Sequence, residues 1–430
     1  MSWLLSRPPT KVAPMRRVLP VVALGLTYVV FAMLLNSVAP VILQSMLTFG
    51  VDKAATSTLD ACKDLPIAVT SLLVASWLPR LGYRKAMIIG LATVAAACAC
   101  MPLLASFTAE RFLFVAVGVT FAMIKVSVYS SIGLLTRGPK EHASVTSLIE
   151  GLFMCGVLAT AWVFSFFVNR DRPADPVWLH TYWLLAGLAG AAAVVWTLVP
   201  LDESRTRAAE PQTSQRLSTS VMGMWSLLRY GLVATFLASA FIYVLIEQAV
   251  QTWLPTFNNE VLNLPVAISL QLTGVYSGTL AAGRLGASLL LRYIRWPTLL
   301  ISCLFMAALL LLSVRGAVGI ANATGWSSLS AAAFALPLVG LFLAPVYPTI
   351  CSTVLSALPL RQHAPMTGLI VVFSALGGML GSFITGRVFG ATDGRTAFML
   401  TLLPVALLLM ALLLFDRQLR KPSLARPDAA

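Results

Sequence analysis

Two charged residues, Lys125 and Glu150, stand inside long apolar stretches and are the first candidates for chemistry. Lys125 lies 14 residues before Pro139, and Glu150 lies 11 residues after it. Because an α-helix rises about 1.5 Å per residue, two helices joined near Pro139 would hold these charges within roughly 5 Å of the same depth. A charge in hydrocarbon is costly and usually faces a protein interior or a water path. We therefore predict a functional pair; an ion pair that only locks two helices together is the alternative.

Polar neighbours extend this pair into a stripe. Tyr129 follows Lys125 by four residues and Thr146 precedes Glu150 by four, a spacing that places side chains on one helix face. A buried carboxyl group beside an ammonium group can bind or release a proton when its surroundings change. Glu150 and Lys125 are therefore our predicted proton-coupling residues, and Lys125, Tyr129 and Thr146 are predicted to contact a substrate. Alternatively, Lys125 is the direct counter-ion of an anionic substrate.

Membrane-spanning helices must position these residues. Of the 430 residues, 58% are hydrophobic and only 11% are charged, which excludes a soluble globular protein of this length. Apolar runs of about 20 residues, the length that crosses a bilayer, predict about twelve spans. The predicted ranges are 18–43, 61–79, 84–106, 111–135, 142–168, 178–200, 222–254, 266–291, 296–319, 326–357, 364–390 and 394–415.

The basic residues are distributed unequally between the two sides of these spans. Of the 30 Lys and Arg residues, twenty fall on the side that holds both termini, seven fall on the other side, and three lie within spans. This asymmetry follows the positive-inside rule, so both termini are predicted to be cytoplasmic in a multi-pass protein of the cell inner membrane. It also accounts for the net charge of +14, and no nucleic-acid partner is needed to explain that charge.

A long polar segment follows Pro200 in the middle of the chain and is typical of a linker. We predict an N-terminal six-helix half at 1–200, a cytoplasmic linker at 201–221, a C-terminal six-helix half at 222–416 and a cytoplasmic tail at 417–430. The predicted fold class is an all-α membrane protein with about twelve transmembrane helices in two pseudo-symmetric halves.

Five further polar residues within spans are predicted to contact the substrate. Asn36 lies in the first span, and Tyr243, Glu247 and Gln251 recur every four residues along one face of the seventh. Tyr347 lies between two prolines of the tenth span, and interrupted helices tend to line cavities. Helix-to-helix bonding is an equal alternative for Asn36, and a place at the polar rim is an equal alternative for Glu247.

Other charges receive a simpler interpretation. Asp60, Lys63 and Asp64 share a helix face near the outer end of the second span. We expect a solvated rim there, and a vestibule that meets the substrate is the alternative. Arg284 is expected to extend to the cytoplasmic surface, because Arg292 already marks that border eight residues later.

Small residues recur in two spans at spacings that let helices approach closely. They are Gly274, Gly278, Ala282, Gly283 and Gly286 in the eighth span, and Gly377, Gly378 and Gly381 in the eleventh.

The sequence at 80–85, Arg-Leu-Gly-Tyr-Arg-Lys, resembles the loop motif between spans two and three of the major facilitator superfamily, as does the layout of six plus six spans. Pro79 stands where that motif usually has an acidic residue. Gly-Leu-Phe at 340–342 and Pro-Thr-Ile at 348–350, together with the double glycine at 377–378, are similar to the fucose permease type of sugar:proton symporter.

This resemblance implies an acidic residue in span one and a glutamate in span four for proton coupling and sugar binding, and an amide-bearing face on span five. The corresponding positions here hold Asn36, Lys125 and Glu150. The acidic group has therefore moved from span four to span five and gained a basic neighbour. Coupling through the family's own carboxylates is not implied.

Together these features predict a secondary active transporter that moves a small polar solute, a sugar or sugar derivative, by alternating access with proton coupling. The alternatives are a transporter of uronate-like organic anions, a drug exporter and a transporter-like sensor. An enzyme is not expected, because His142, His180 and His363 form no metal-spaced cluster and no nucleophile or phosphate-binding motif occurs. We expect no cofactor or metal, a small-molecule substrate and protons as partners within a lipid bilayer, and a monomer.

Overall fold

The chain is a bundle of α-helices in a computed structural model that describes residues 15–136, 139–201, 203, 227–316, 326, 329, 331–357 and 360–419. The bounds of the α-helices in these residues are α1 (Met15–Asn36), α2 (Val38–Phe49), α3 (Lys53–Thr56), α4 (Thr58–Leu81), α5 (Tyr83–Leu104), α6 (Phe107–Leu135), α7 (Pro139–Phe167), α8 (Thr181–Leu198), α9 (Gly231–Glu260), α10 (Val266–Leu290), α11 (Trp296–Ser313), α12 (Ala335–Leu343), α13 (Val346–Ala357), α14 (Leu360–Ala391), α15 (Gly394–Leu400) and α16 (Leu402–Leu419).

All twelve predicted ranges contain helix. Ten segments of the described chain are long and apolar enough to cross a membrane. Helices α4 and α10, with 24 and 25 residues, occupy the other two predicted ranges. The predicted fold class is therefore confirmed. The seventh span, predicted at 222–254, ends six residues later than predicted, because Pro255 is accommodated inside α9 and the helix continues to Glu260.

Two spans are interrupted. The first is divided between α1 and α2 at Ser37, whose hydroxyl donates a hydrogen bond to the Leu34 carbonyl over 2.7 Å. The tenth is divided between α12 and α13, next to Pro345. The sequence predicted the second interruption through its prolines. It did not predict the first, although Pro40, which has no backbone N–H for the Asn36 carbonyl, lies within one turn of that interruption.

The helix pairings of the first six spans recur in the last six. In the N-terminal half (α1–α8), α1 packs on α7, α4 on α6 and α5 on α8. In the C-terminal half (α9–α16), the equivalent pairs are α9 with α14, α10 with α12 and α11 with α16. Counted in spans, each pair of the second set lies six spans after its counterpart, so the bundle has the predicted pseudo-symmetry.

Among the described residues, the two halves meet along four pairs of elements: α2 with α9, α3 with α14, α4 with α14 and α7 with α10. At one end of the bundle, which we call the Asp52 end, Lys53 Nζ lies 2.8 Å from Glu260 Oε2 of the other half. A Cβ atom on Gly386 of α14 would lie 2.7 Å from Ser57 Cβ. The halves are therefore closely apposed at this end.

Close helix approach through glycine is observed where a side chain would meet backbone. A Cβ atom on Gly381 of α14 would lie 2.2 Å from the Leu245 carbonyl oxygen of α9, and one on Gly377 would lie 2.4 Å from the Phe241 carbonyl oxygen. In contrast, no atom lies within 4 Å of the equivalent position on Gly286 of α10, so the predicted close packing is wrong at that residue.

At the opposite end, which we call the Gly82 end, a one-residue connection joins α4 to α5. Gly82 has a φ of +90°, which favours glycine. The Arg84 backbone N–H donates to Glu203 Oε1 over 2.8 Å, and its guanidinium donates to the carbonyl oxygens of Trp196 and Thr197 at the end of α8. The carboxylate that contacts this loop therefore belongs to Glu203, whereas the family motif usually has its acidic residue at the position of Pro79.

The predicted domain boundaries stay predictions. Of the linker predicted at 201–221, only residues 201 and 203 are among those described, and of the tail predicted at 417–430 only residues 417–419 are.

Candidate functional site

A cavity of about 200 Å³ lies where the two halves meet. Its walls come from α1, α2, α4 and α6 on one side and from α9 on the other. The lining residues are Leu35, Asn36, Val38, Ala39, Lys63, Asp64, Ile67, Phe121, Gln248, Gln251 and Thr252. Amide, hydroxyl, ammonium, carboxylate and aromatic groups therefore converge on one space. Such a mixture suits a small polar ligand.

Asn36 and Gln251, both predicted to contact the substrate, meet across this cavity. Asn36 stands at the end of α1, where its Nδ2 donates to the Ala32 carbonyl over 2.8 Å. Its Oδ1 accepts a hydrogen bond of 3.1 Å from Gln251 Nε2 of α9. An amide carries both donors and acceptors, so the hydroxyl groups of a ligand can replace this hydrogen bond with bonds of their own to both side chains.

The charged face of α4 is buried between the halves, so the expected solvated rim is wrong. Asp60 is fully buried, and Lys63 is 6% exposed. Lys63 Nζ lies 2.9 Å from Asp60 Oδ1 and 3.5 Å from Asp64 Oδ1. Across the interface, Gln248 Nε2 and Thr252 Oγ1 of α9 donate to Asp60 over 3.2 and 2.9 Å. The sequence did not reveal this burial, because the opposing polar groups come from a helix about 190 residues away.

Glu150 has a different partner from the one that the sequence suggested. Its carboxylate on α7 accepts a hydrogen bond from the Tyr129 hydroxyl of α6. The Tyr129 ring in turn contacts Tyr28 of α1 edge-on, with 6.4 Å between the ring centres. The structure thus joins the predicted residues Tyr129 and Glu150 in one group, and α1, α6 and α7 all contribute to it.

Lys125 is exposed and lies beside an aromatic ring. Its Nζ is 5.8 Å from the centre of the Phe121 ring, and Phe121 lines the cavity one helical turn away. Among the residues that the structure describes, no carboxylate oxygen lies within 4.0 Å of Lys125 Nζ. Lys125 and Glu150, predicted as a functional pair at similar depth, therefore form no direct ion pair, and Glu150 engages the Tyr129 hydroxyl instead.

Thr146 lies one turn before Glu150 on α7, and its position on the predicted stripe follows from the helix. Its hydroxyl oxygen is buried, and no hydrogen-bond partner for it is found in the described part of the chain. It is not among the residues that line the cavity.

Glu247 pairs with a residue for which the sequence predicted another place. Arg284 of α10 approaches it with 3.6 Å between NH2 and Oε1, and the Glu247 side chain is 15% exposed. Arg284 therefore turns toward the protein instead of extending to the membrane surface. Its guanidinium also lies 3.8 Å from the Met154 sulfur of α7, so this group touches both halves.

Tyr243 and Tyr347 stack on each other beside this pair. Their ring centres are 5.6 Å apart at an angle of 25°. Tyr243 is fully buried, and the Tyr347 hydroxyl is 3.0 Å from Ser374 Oγ of α14. In this conformation the two rings cover each other, and neither lines the cavity.

Several cavity residues were not predicted as ligand contacts, namely Lys63, Asp64, Phe121, Gln248 and Thr252. One sequence signal was available. Gln248 and Thr252 are four residues apart, and each follows directly on a member of the polar line of α9, which consists of Tyr243, Glu247 and Gln251. Phe121 carries no such signal, since an aromatic residue in an apolar helix is ordinary packing material. No three His, Cys, Asp or Glu side chains within the described ranges form a group that could hold a metal.

A model of the Major Facilitator Superfamily matches residues 24–326 of the chain. No curated protein matches the sequence. Many solved structures are similar, and three examples follow. A bacterial homologue of the human lysosomal transporter Spinster, inward-facing and unoccupied, has a TM-score of 0.75 and 13% identity, covering 94% of this chain and 98% of that one. A variant of the nucleoside transporter NupG has a TM-score of 0.74 and 12% identity, with coverages of 93% and 99%. The E. coli fucose:proton symporter FucP, in its outward conformation, has a TM-score of 0.61 and 15% identity, with coverages of 93% and 99%. At these identities the likeness concerns the fold.

Proposed function

The chain belongs to the major facilitator superfamily, and from this premise we propose that it is a secondary active transporter of a small polar solute, most simply a sugar or sugar derivative. Proteins of this family and the similar solved structures are membrane transporters. The chain acts as a monomer in the cytoplasmic membrane with both termini inside, an orientation supported by the distribution of Lys and Arg.

One observation carries the proposed substrate class: the hydrogen bond between Asn36 and Gln251 across the cavity. Two amides, with Gln248 and Thr252 beside them, supply neutral donors and acceptors at the contact of the two halves. Phe121 adds an aromatic surface on which the apolar face of a sugar ring can pack. This combination fits a polyhydroxylated solute better than an apolar drug, which needs no such set of polar groups.

The arrangement of the halves supports alternating access. They are apposed at the Asp52 end, while Lys125 and Tyr129, which lie farther toward the Gly82 end, are exposed. In the proposed orientation the Gly82 end faces the cytoplasm, so the solute leaves toward that side. Separation of the halves at the Asp52 end would then admit the next solute from outside.

Glu150 is the proposed proton-coupling residue of this central region. Its carboxylate accepts the Tyr129 hydroxyl bond, and the exposed Lys125 lies on the same face of α6 as Tyr129. A proton bound by Glu150 removes the negative charge, so that the electrostatic attraction between Glu150 and Lys125 is lost. Lys125, which forms no ion pair with Glu150 in this conformation, then bonds to the solute without this longer-range attraction.

A second candidate function is the transport of an organic anion such as a uronate. Lys125 favours it, because this amine is exposed near the cavity and makes no ion pair within the described residues. An ammonium group without a carboxylate partner is a suitable counter-ion for a carboxylate solute.

Uptake by purified protein in proteoliposomes tests the proposal. A panel of neutral hexoses, amino sugars, nucleosides and uronic acids would be measured with and without an inward proton gradient. Gradient-driven accumulation of a neutral sugar supports sugar:proton symport, and uptake confined to acids supports the second candidate. Failure to transport any member of the panel contradicts both.

A further inference from the structure

The charged cluster of α4, formed by Asp60, Lys63 and Asp64, holds an excess of negative charge between the two halves. It contains two carboxylates and one ammonium group, and the side chains of Asp60, Lys63 and Asp64 are 0%, 7% and 13% exposed. With all three groups ionised, the cluster carries a net charge of −1. A buried charge without a partner is strongly unfavourable, so this excess calls for a cation.

The two carboxylates are not equally satisfied. Asp60 accepts from Lys63 at 2.9 Å, from Gln248 at 3.2 Å and from Thr252 at 2.9 Å. Asp64 has only the longer contact of 3.5 Å with Lys63 in the described residues. Its Oδ2 faces α14, where a Cβ atom on Gly378 would lie 3.1 Å away. Asp64 also lines the cavity, so the excess charge resides on a carboxylate that a small cation can reach.

In the described part of the chain, Lys63 is the cation within 4.0 Å of Asp64, and Arg111 and Lys125, the cations of α6, do not reach it. On α4 itself, the charged neighbours are Asp60 and Lys63. From α9 the groups that face the cluster are the neutral Gln248 and Thr252, and from α14 it is Gly378. Glu247, the charged neighbour of Gln248 in sequence, is paired with Arg284.

We propose that Asp64 takes up a proton from the Asp52 end, and that this proton holds the two halves together there. Protonation leaves Lys63 and Asp60 as a neutral pair, and Asp60 keeps its bonds to α9. Loss of the proton restores a net charge of −1 that water must solvate, which favours separation of the halves. This inference rests on the proposed alternating access and gives the protein a second proton-binding carboxylate, on the second span, in addition to Glu150.

Distance measurement by electron spin resonance tests the proposal without any solute. Spin labels would be placed on non-canonical residues at the exposed positions 172 and 395, one in each half at the Asp52 end, so that the native cysteines stay unchanged. The full-length protein in lipid nanodiscs would be titrated between about pH 5 and about pH 9, a range that covers shifted carboxyl groups. The expected result is a short distance at low pH and a longer one at high pH.

Asp64→Asn should keep the short distance at every pH. Asp64→Glu should retain the pH response, which would show that the site tolerates a substitution that keeps the carboxyl group. The matched control is Asp171→Asn, an exposed carboxylate at the same end, which should behave as the wild type. A pH response in Asp64→Asn equal to that of the wild type would overturn the proposal. So would a wild-type distance that responds to sodium at constant pH instead of to protons. Since no solute is used, a failure of the sugar proposal would leave this test unaffected.

Discussion

Gln251 of α9 donates a hydrogen bond of 3.1 Å to Asn36 of α1, and this bond joins the two halves of the protein at the wall of their shared cavity. Each residue lies in an otherwise apolar span, and each is placed by a local feature of its helix. Asn36 ends α1 at an interruption, and Gln251 lies on the polar line of α9. A solute that bonds to both amides contacts both halves, which is what a transporter with alternating access requires.

Replacing Glu150 by Gln should abolish accumulation of solute against its gradient while sparing counterflow. The amide still accepts the Tyr129 hydroxyl bond, but it cannot bind and release a proton. Both activities can be measured in proteoliposomes with an imposed proton gradient. Asp171→Asn, at an exposed carboxylate of the same half, is the matched control and should retain both. Undiminished gradient-driven uptake by Glu150→Gln would rule out this residue as the coupling site.

Replacing Lys125 by Ala separates the two candidate functions. If the solute is an organic acid, loss of the counter-ion should weaken its binding at least tenfold, since hydrogen bonds to charged groups contribute about 1.5–3 kcal/mol. Binding of a neutral sugar should change much less. Affinities measured by calorimetry for a uronic acid and its parent hexose provide the comparison, with the exposed Lys85→Ala as the control. Equal losses for both ligands would argue against an anion site.

Replacing Arg284 by Met should destabilise the protein, because Glu247 would stay largely buried without its cation. We expect a loss of about 1–3 kcal/mol, below the value for a fully buried pair since Arg284 is partly exposed. Thermal unfolding in detergent should show a lower Tm, and adding Glu247→Gln should restore part of it. Arg292→Met, at an exposed residue of the same region, should have little effect. Strict additivity of the two single substitutions would show that the pair does not interact.

Replacing Gly381 by Ala should destabilise the contact of α14 with α9. The added Cβ atom would lie 2.2 Å from the Leu245 carbonyl oxygen, so one helix must move away. Overpacking of this kind costs about 1–3 kcal/mol or more. Gly286→Ala is the matched control, because no atom lies within 4 Å of its added Cβ. Equal thermal stability of the two variants would contradict the close packing described for Gly381.

The helices and their arrangement in two pseudo-symmetric halves could be predicted well from the sequence, whereas the partners of the charged residues could not. Apolar runs of membrane length leave few alternatives to helix, which explains why all twelve ranges were found. Gln251, which the sequence singled out as a substrate contact, lines the cavity, and its contact with a solute stays a prediction. Such patterns involve residues that are close in sequence, and the helical period of 3.6 residues shows which of them share a face.

Contacts between distant spans leave no such pattern. Lys125 and Glu150 were predicted to act as a functional pair from their similar depth, but depth does not determine which side chain contacts which. Asp60 was expected at a solvated rim, because the partners that bury it, Gln248 and Thr252, belong to the other half. Arg284 was expected to extend to the surface, but its guanidinium pairs with the Glu247 carboxylate. In each case the decisive partner lies far away in sequence.

The most direct test of the central claim, that the solute binds between Asn36 and Gln251, is the equilibrium affinity of the transported solute for single alanine variants of the two residues. The solute would be the member of the uptake panel that the wild-type protein accumulates. Each variant loses one hydrogen bond of about 0.5–1.5 kcal/mol, so Kd should rise roughly 3- to 10-fold in both. Gln271→Ala, an amide of α10 that bonds to Ser165 outside the cavity, should leave Kd unchanged. Unaltered affinity in both Asn36→Ala and Gln251→Ala, or an equal loss in Gln271→Ala, would contradict the account.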